Sequence, residues 1–152
     1  MDKSNLVREF LNSQIHMVIS TIGVDKPEAA LVGFASADDL SLVFGTYTTT
    51  RKFNNIQKNP NCAIVFGNNE KITLQYEGVA SVLEGDELKE YKNIYFQKTP
   101  SSKKYEAHPN QVYLKIKPTW IRYTDYNKEP EMIFEMNFFH PELDVRTSDT
   151  LN

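Results

Sequence analysis

The chain has 152 residues, with 20 acidic and 17 basic side chains and 40% hydrophobic residues. This length predicts a single domain, residues 1–152, and the net charge of −3 argues against a partner such as nucleic acid. Cys62 alone excludes an intrachain disulfide, and no stretch approaches the ~20 apolar residues that cross a bilayer. The N-terminal residues do not resemble a secretory signal, so we expect a cytoplasmic protein with no membrane partner.

The first elements are predicted to be a helix and then an antiparallel meander. Apolar residues at helical spacing predict an amphipathic helix from about Asp2 to Ser13, within the segment 1–13. The period then changes to that of strands, and the aromatic content of 12% also favours a fold rich in β-sheet. Turn residues separate the first three predicted strands, which are 16–22, 28–35 and 40–47.

The segment 48–59 interrupts the β pattern and carries the one anion-binding motif of the sequence. A helix of about two turns is expected to begin near Thr50 or Arg51 and to stop at Pro60. Helix N-termini expose unpaired N–H groups, so Thr48 to Lys52 offer hydroxyls, cations and backbone donors for one phosphate. The alternative is that Thr50 merely caps the helix while the cations are solvated.

Strands return after this helix. The apolar run 61–67 predicts a central, buried strand, and a turn over 68–71 leads into the strand 72–83. Gly78 within that strand suggests a bulge or tight bend. A helix over 85–97, a polar segment over 99–109, strands at 111–117, 119–126 and 132–136, and a polar tail over 137–152 complete the chain.

The fold class is therefore mainly β, a barrel over 14–136 with helices at its periphery. Six or so mainly antiparallel strands are expected to form a closed or split barrel. The three histidines have no second ligand at metal spacing, so no metal site is predicted. Cys62 lies in an apolar strand, where a buried and inert thiol is expected. Sequence motifs of hydrolases and dinucleotide-binding folds are missing, and no catalytic residue is identified.

The order of several short stretches resembles the pyridoxamine 5′-phosphate oxidase-like family of FMN-binding split barrels, and especially its small members related to general stress protein 26. That family implies a six-stranded antiparallel barrel of Greek-key type. The matching stretches are VIST (18–21) with Pro27, VFGT (43–46), TRKFN (50–54) with Asn59 and Pro60, AIVF (63–66), QYEGVA (75–80) and WIR (120–122).

The resemblance implies FMN bound at the interface of a homodimer. By position, Thr50, Arg51 and Lys52 would hold the phosphate of the flavin. The remaining implied contacts are with the ring system: Leu31, Val32, Gly33 and Phe34 along the isoalloxazine, Phe44, Gly45 and Thr46 lining its pocket, Gln75 at its polar edge, and Trp120 and Arg122 from the second subunit.

The expected function is that of an FMN-dependent oxidoreductase, with hydride transfer between the flavin and an unknown small molecule or a reduced nicotinamide, NAD(P)H. The Arg-x-His pair that would hold pyridoxal phosphate near the C-terminus is missing, so oxidation of pyridoxine phosphate is not expected. Relatives of this kind also bind the deazaflavin F420 or haem, and a stress-response protein that binds such a group without turnover is the alternative. A barrel that binds an apolar ligand or a protein partner is the third hypothesis.

Overall fold

A computed structural model describes residues 1–67 and 70–142 of the chain. Most of the predicted tail, from 143 onward, and residues 68–69 of the predicted turn lie outside this range. The first helix, α1 (Lys3–Ser13), begins as predicted because an oxygen of Asp2 accepts the amide of Asn5 at 3.0 Å. Its apolar side is buried against the sheet, which confirms the amphipathic interpretation.

The described strands form one antiparallel sheet of eight strands in the order β2-β1-β5-β6-β7-β4-β3, with β8 paired to β7. The sheet curls until β2, at one end, contacts β4, the strand next to the other end, which gives the predicted split barrel. The strands are β1 (His16–Ile22), β2 (Pro27–Gly33), β3 (Ala35–Ser36), β4 (Leu42–Tyr47), β5 (Asn61–Gly67), β6 (Ile72–Val82), β7 (Gln111–Asp125) and β8 (Met132–Asn137).

The strand boundaries differ from the prediction chiefly in two places, and β4 also begins at Leu42 instead of residue 40. The predicted strand 28–35 is divided at Phe34 into β2 and β3, which pair with different neighbours. In contrast, Pro118 does not end a strand, and β7 continues through it. The register of β6 against β7 shifts here, where Glu77 faces Trp120 but Gly78 faces Pro118. A bulge tolerates a residue without an N–H donor, so the proline interrupts the ladder and not the strand.

The prediction that residues 61–67 form a central, buried strand is confirmed for its position and for only one of its faces. The strand is central, between β1 and β6, but its residues alternate between buried and exposed positions. Cys62, Ile64 and Phe66 face the core, whereas the apolar Val65 on the other face is 53% exposed. An apolar run cannot by itself distinguish a strand buried on both faces from one whose second face lies open.

The barrel interior is filled by aromatic and aliphatic side chains from α1 and most of the strands. Tyr76 is buried in this core, and its hydroxyl lies 2.9 Å from the carbonyl oxygen of Leu40 and 3.1 Å from that of Ile116. A buried hydroxyl needs such a partner, so Tyr76 fixes the turn before β4 against the middle of β7.

The other helices lie at the periphery, as predicted. They are α2 (Arg51–Lys58), α3 (Gly85–Lys98) and a short 3-10 helix over Pro100–Tyr105. The residues packed beneath α3 form a second apolar cluster around Tyr91, Tyr95 and Tyr113. Among the described helices, none has the length and apolar character needed to span a membrane.

Replacing Gly78 by alanine is expected to destabilise the fold. A Cβ atom there would lie 2.5 Å from the carbonyl oxygen of Lys117 and 2.6 Å from a methyl group of Ile116. Overpacking of this kind costs about 1–3 kcal/mol. Urea denaturation of Gly78→Ala measures the loss, and Gly67→Ala is the control because its Cβ would meet nothing within 4 Å. Equal stability of the two variants would contradict the tight bulge.

Candidate functional site

The predicted phosphate-binding residues line a groove at the N-terminus of α2. Thr50 is the N-cap, and its Oγ1 accepts the amide of Phe53 at 3.4 Å while donating to the carbonyl of Tyr47 at 2.9 Å. The same hydroxyl lies 3.1 Å from that of Thr46. Thr50 therefore caps α2, as in the alternative interpretation of the sequence, and its hydroxyl already has hydrogen-bond partners in the backbone. The amides of Arg51 and Lys52, at the first two positions of α2, remain as donors for a ligand.

This α2 groove has a volume of about 270 Å³ and is bordered by the start of β2. The Lys52 amine is half-buried there, and burial lowers its pKa from the ordinary value. The charged form of the amine is consequently incompletely solvated, and an anion bound in the groove would stabilise that charge. The lining residues are Thr21, Glu28, Ala29, Ala30, Thr50, Arg51 and Lys52.

Arg51 also points to this groove but already has a partner. Its Nη1 lies 2.5 Å from Oε2 of Glu28, and Asn55 donates to the other carboxylate oxygen of Glu28 at 3.2 Å. Arg51 and Asn55 are four residues apart, so they share one face of α2. Sequence reasoning missed Glu28 because nothing local pairs a strand residue with that helix, although the i,i+4 spacing of Arg51 and Asn55 is a signal.

Gln75, Trp120 and Arg122 come together on the outward side of the sheet. The register places Gln75 between Val65 and Arg122, and Trp120 opposite Glu77. We call this surface the outer face. Its two rows across the strands are Leu31, Val18, Val65, Gln75, Arg122, Glu135 and Ala29, Ser20, Ala63, Glu77, Trp120, Asn137.

The outer face is apolar at one end and polar at the other. Leu31 is 67% exposed and Val18 is 38% exposed, beside the exposed Val65. At the polar end Arg122 donates to Glu135 at 2.9 Å. A groove of about 170 Å³ joins the two ends, running from Val18 past Gln75 to Trp120. Contiguous apolar side chains on an open sheet are typical of interaction surfaces.

Gly33 and Gly45 line a third cavity, the polar pocket, of about 400 Å³. It lies between the sheet and the end of α3, and hydroxyl groups dominate its wall. No described lysine, arginine or carboxylate belongs to its lining, which therefore favours a neutral polar ligand. The lining residues are Ile15, His16, Gly33, Gly45, Tyr95, Thr99, Ser101, Ser102, Tyr105 and Gln111.

The predicted ring contacts are not all open to a ligand. Phe34 and Phe44 have no exposed area, and Val32 packs against the same core. Phe34 lies 5.0 Å from the ring of Phe66 and beneath the amine of Lys98, 3.8 Å from its ring centroid. The side chains of Phe34 and Phe44 thus support the core. Of the four predicted contacts over residues 31–34, Leu31 is exposed and Gly33 borders the polar pocket.

In the part of the chain that the structure describes, Cys62, His108 and His140 do not form a further reactive centre. Burial raises the pKa of the Cys62 thiol to about 12, which keeps it inert. His140 contacts the carbonyl of Pro118 at 2.6 Å, and His108 stacks on Tyr47. Within 1–67 and 70–142, no three His, Cys, Asp or Glu side chains converge in a way that would hold a metal ion.

The fold and these grooves define an antiparallel split barrel with a cationic helix terminus beside its first hairpin. The sequence profile of pyridoxamine 5′-phosphate oxidase matches residues 5–125. The chain therefore belongs to the pyridoxamine 5′-phosphate oxidase-like family, as the resemblance predicted. Among curated protein sequences, none matches this chain.

Solved structures of other proteins have the same fold. General stress protein 26 from Bacillus anthracis is 27% identical, with a TM-score of 0.71 over 90% of this chain and 100% of that one. A haem-binding protein from Mycobacterium smegmatis gives a TM-score of 0.79 at 16% identity over 90% of this chain. The chain spans only 58% of that protein's length. ChuZ from Campylobacter jejuni gives 0.74 at 18% identity, over 90% of this chain and 61% of ChuZ.

Replacing Thr50 by alanine is expected to cost about 1 kcal/mol of stability, since the hydroxyl caps α2. Urea denaturation measures the change. Thr50→Ser retains the hydroxyl and should restore most of the loss, while Thr49→Ala alters only an exposed neighbour and should stay within about 0.5 kcal/mol of the parent. Equal losses at 49 and 50 would contradict the capping role.

Proposed function

We propose that the chain binds FMN, with the phosphate in the α2 groove, and uses it for electron or hydride transfer. The observation that carries this proposal is the placement of Arg51 and Lys52 at the N-terminus of α2, beside an open groove. Helix N-termini bind phosphate through unpaired amides and a positive dipole end, and both cations add to this. The family to which the chain belongs supports a flavin in particular.

Strand β2 supplies a route for the rest of the cofactor. Glu28 borders the α2 groove near one end of the strand, and Gly33 borders the polar pocket at its other end. Five residues of extended strand separate them by about 17 Å. A ribityl chain and a three-ring system have comparable length, so a flavin anchored at Arg51 would extend along β2 toward Gly33.

The second part of the proposal is a homodimer that completes the cofactor site. Val18, Leu31 and Val65 form an exposed apolar surface, and Ala29 continues it into the α2 groove. A second copy of the chain covering this surface would remove the apolar groups from water. Trp120 and Arg122 lie on the same outer face and would approach the cofactor held by the partner subunit.

A bound flavin would supply the redox chemistry, while this chain provides binding, orientation and exclusion of water. The polar pocket would receive the small substrate, because it lies at the far end of β2 from the α2 groove. Its hydroxyl-rich, uncharged lining supports a neutral substrate and not a phosphorylated one. No side chain of the described pocket is assigned as a general acid or base.

Haem and F420 are the alternative ligands. The Mycobacterium smegmatis protein of the same fold binds haem, and His16 lies at the polar pocket of this chain, where an imidazole ligand to iron would be available. The absorption spectrum of the purified protein separates the cases. Absorption bands of a flavin would support the proposal. A Soret band in place of the flavin bands would show that the bound cofactor is haem and not FMN.

Removing both cations should weaken FMN binding. Charge-assisted hydrogen bonds contribute about 1.5–3 kcal/mol each, so Arg51→Gln with Lys52→Gln should raise the Kd for FMN by at least a hundredfold. Quenching of flavin fluorescence measures this. Riboflavin, which lacks the phosphate, is the control ligand, and its affinity should change little. An unchanged affinity for FMN would place the phosphate elsewhere.

The homodimer predicts that a charge at the centre of the outer face prevents association. Val65→Asp would bury an unpaired carboxylate in the interface, which is strongly unfavourable. Light scattering after size-exclusion chromatography should give a dimer for the parent and a monomer for this variant. Val24→Asp, in the exposed turn before β2, should remain dimeric. A monomeric parent protein would contradict the shared site.

A further inference from the structure

We propose that Glu28 determines how strongly the α2 groove selects a phosphorylated ligand, by competing with the phosphate for Arg51. This inference rests on the proposed phosphate site and assigns a specificity-determining role to a residue that no sequence motif singled out. It follows from three observations: the contacts of the Glu28 carboxylate, the rigidity of its position and the charge balance of the groove.

The carboxylate of Glu28 has partners on both of its oxygens. One oxygen lies 2.5 Å from Nη1 of Arg51, and the other accepts the side-chain amide of Asn55 at 3.2 Å. The same amide donates to Thr21 at 3.0 Å, and Thr21 is buried. Glu28 is therefore tied to one face of α2 through two residues that lie one helical turn apart.

The hairpin between β1 and β2 also fixes the carboxylate. A Cβ atom added at Gly23 would lie 2.5 Å from Oε1 of Glu28, so the carboxylate rests directly against the backbone of the turn. The side chain of Glu28 is only 15% exposed, whereas that of Arg51 is 75% exposed. The fixed member of the ion pair is thus the carboxylate, and the guanidinium is the member that is free to turn.

The charge balance of the groove decides the direction of the effect. Arg51 and Lys52 supply two positive charges, and Glu28 cancels one of them. An ion pair with an exposed partner is only slightly stabilising. Loss of the pair with Glu28 would therefore change the orientation of Arg51 little. The electrostatic repulsion between the fixed Glu28 carboxylate and a phosphate dianion in the same small groove is larger than this loss of orientation. The net effect of Glu28 is therefore to weaken phosphate binding, because its repulsion of the phosphate outweighs the benefit of orienting Arg51.

Neutralising Glu28 should then tighten the binding of phosphorylated flavin. Glu28→Gln keeps the size of the side chain and an acceptor for Asn55 but removes the charge. We expect the Kd for FMN to fall about tenfold and the Kd for riboflavin to stay within about twofold. Flavin fluorescence titrations at two salt concentrations measure both, and the advantage over the parent should shrink at high salt.

Glu90→Gln is the matched control, since Glu90 borders a separate cavity beside α3 and the substitution makes the same change in net charge. Its FMN affinity should equal that of the parent. Unchanged or weaker FMN binding by Glu28→Gln, with a circular dichroism spectrum like that of the parent, would overturn the proposal. Equal tightening in both variants would also overturn it, because the effect would then come from net charge alone.

Inorganic phosphate separates this inference from the flavin proposal. If the parent protein binds no FMN, the proposed function fails, and NMR titration of the Arg51 and Lys52 amides with sodium phosphate becomes the deciding measurement. Tighter phosphate binding by Glu28→Gln, against sodium chloride of equal ionic strength, would uphold the competition at Arg51. Equal affinity, or no binding by either protein, would overturn it.

Discussion

The register of β1 between β2 and β5 is the constraint on which the sites of this protein depend. Val18 lies between Leu31 and Val65, so its strand neighbours Met17 and Ile19 face the core. A slip of one residue would exchange the two faces, which would bury Val18 and expose the core residues. The same register aligns β2 so that one end reaches the α2 groove and the other reaches the polar pocket.

Electrostatics within the α2 groove differ from the average charge of the chain. The net charge is −3, yet Arg51 and Lys52 stand together at a helix N-terminus where their effect is local. Glu28 moderates this positive charge without abolishing it. We propose that this small positive excess serves a single phosphate group and not a polymer of phosphates.

The sequence predicted local features and, through the family resemblance, the split barrel, but it did not predict several contacts between segments that are distant in the chain. Asp2 and Thr50 cap helices through contacts three residues away, so both helix starts were predictable. The continuation of β7 through Pro118 depends on a bulge in its pairing with β6. The exposure of one face of β5 depends on whether another element of the fold packs against that face. The sequence placed Arg51 at the start of a helix, but it could not predict the ion pair of Arg51 with Glu28. That pair depends on how β2 packs against α2.

We propose that two copies of this chain associate through their outer faces, with one FMN per chain and its phosphate in the α2 groove. Sedimentation velocity of the FMN-titrated protein, followed at the visible absorption of the flavin, tests this most directly. If this proposal is right, the flavin sediments with a dimer of the 17.5 kDa chain, at one flavin per chain. Flavin that remains unbound, or that sediments with a monomer, would contradict it.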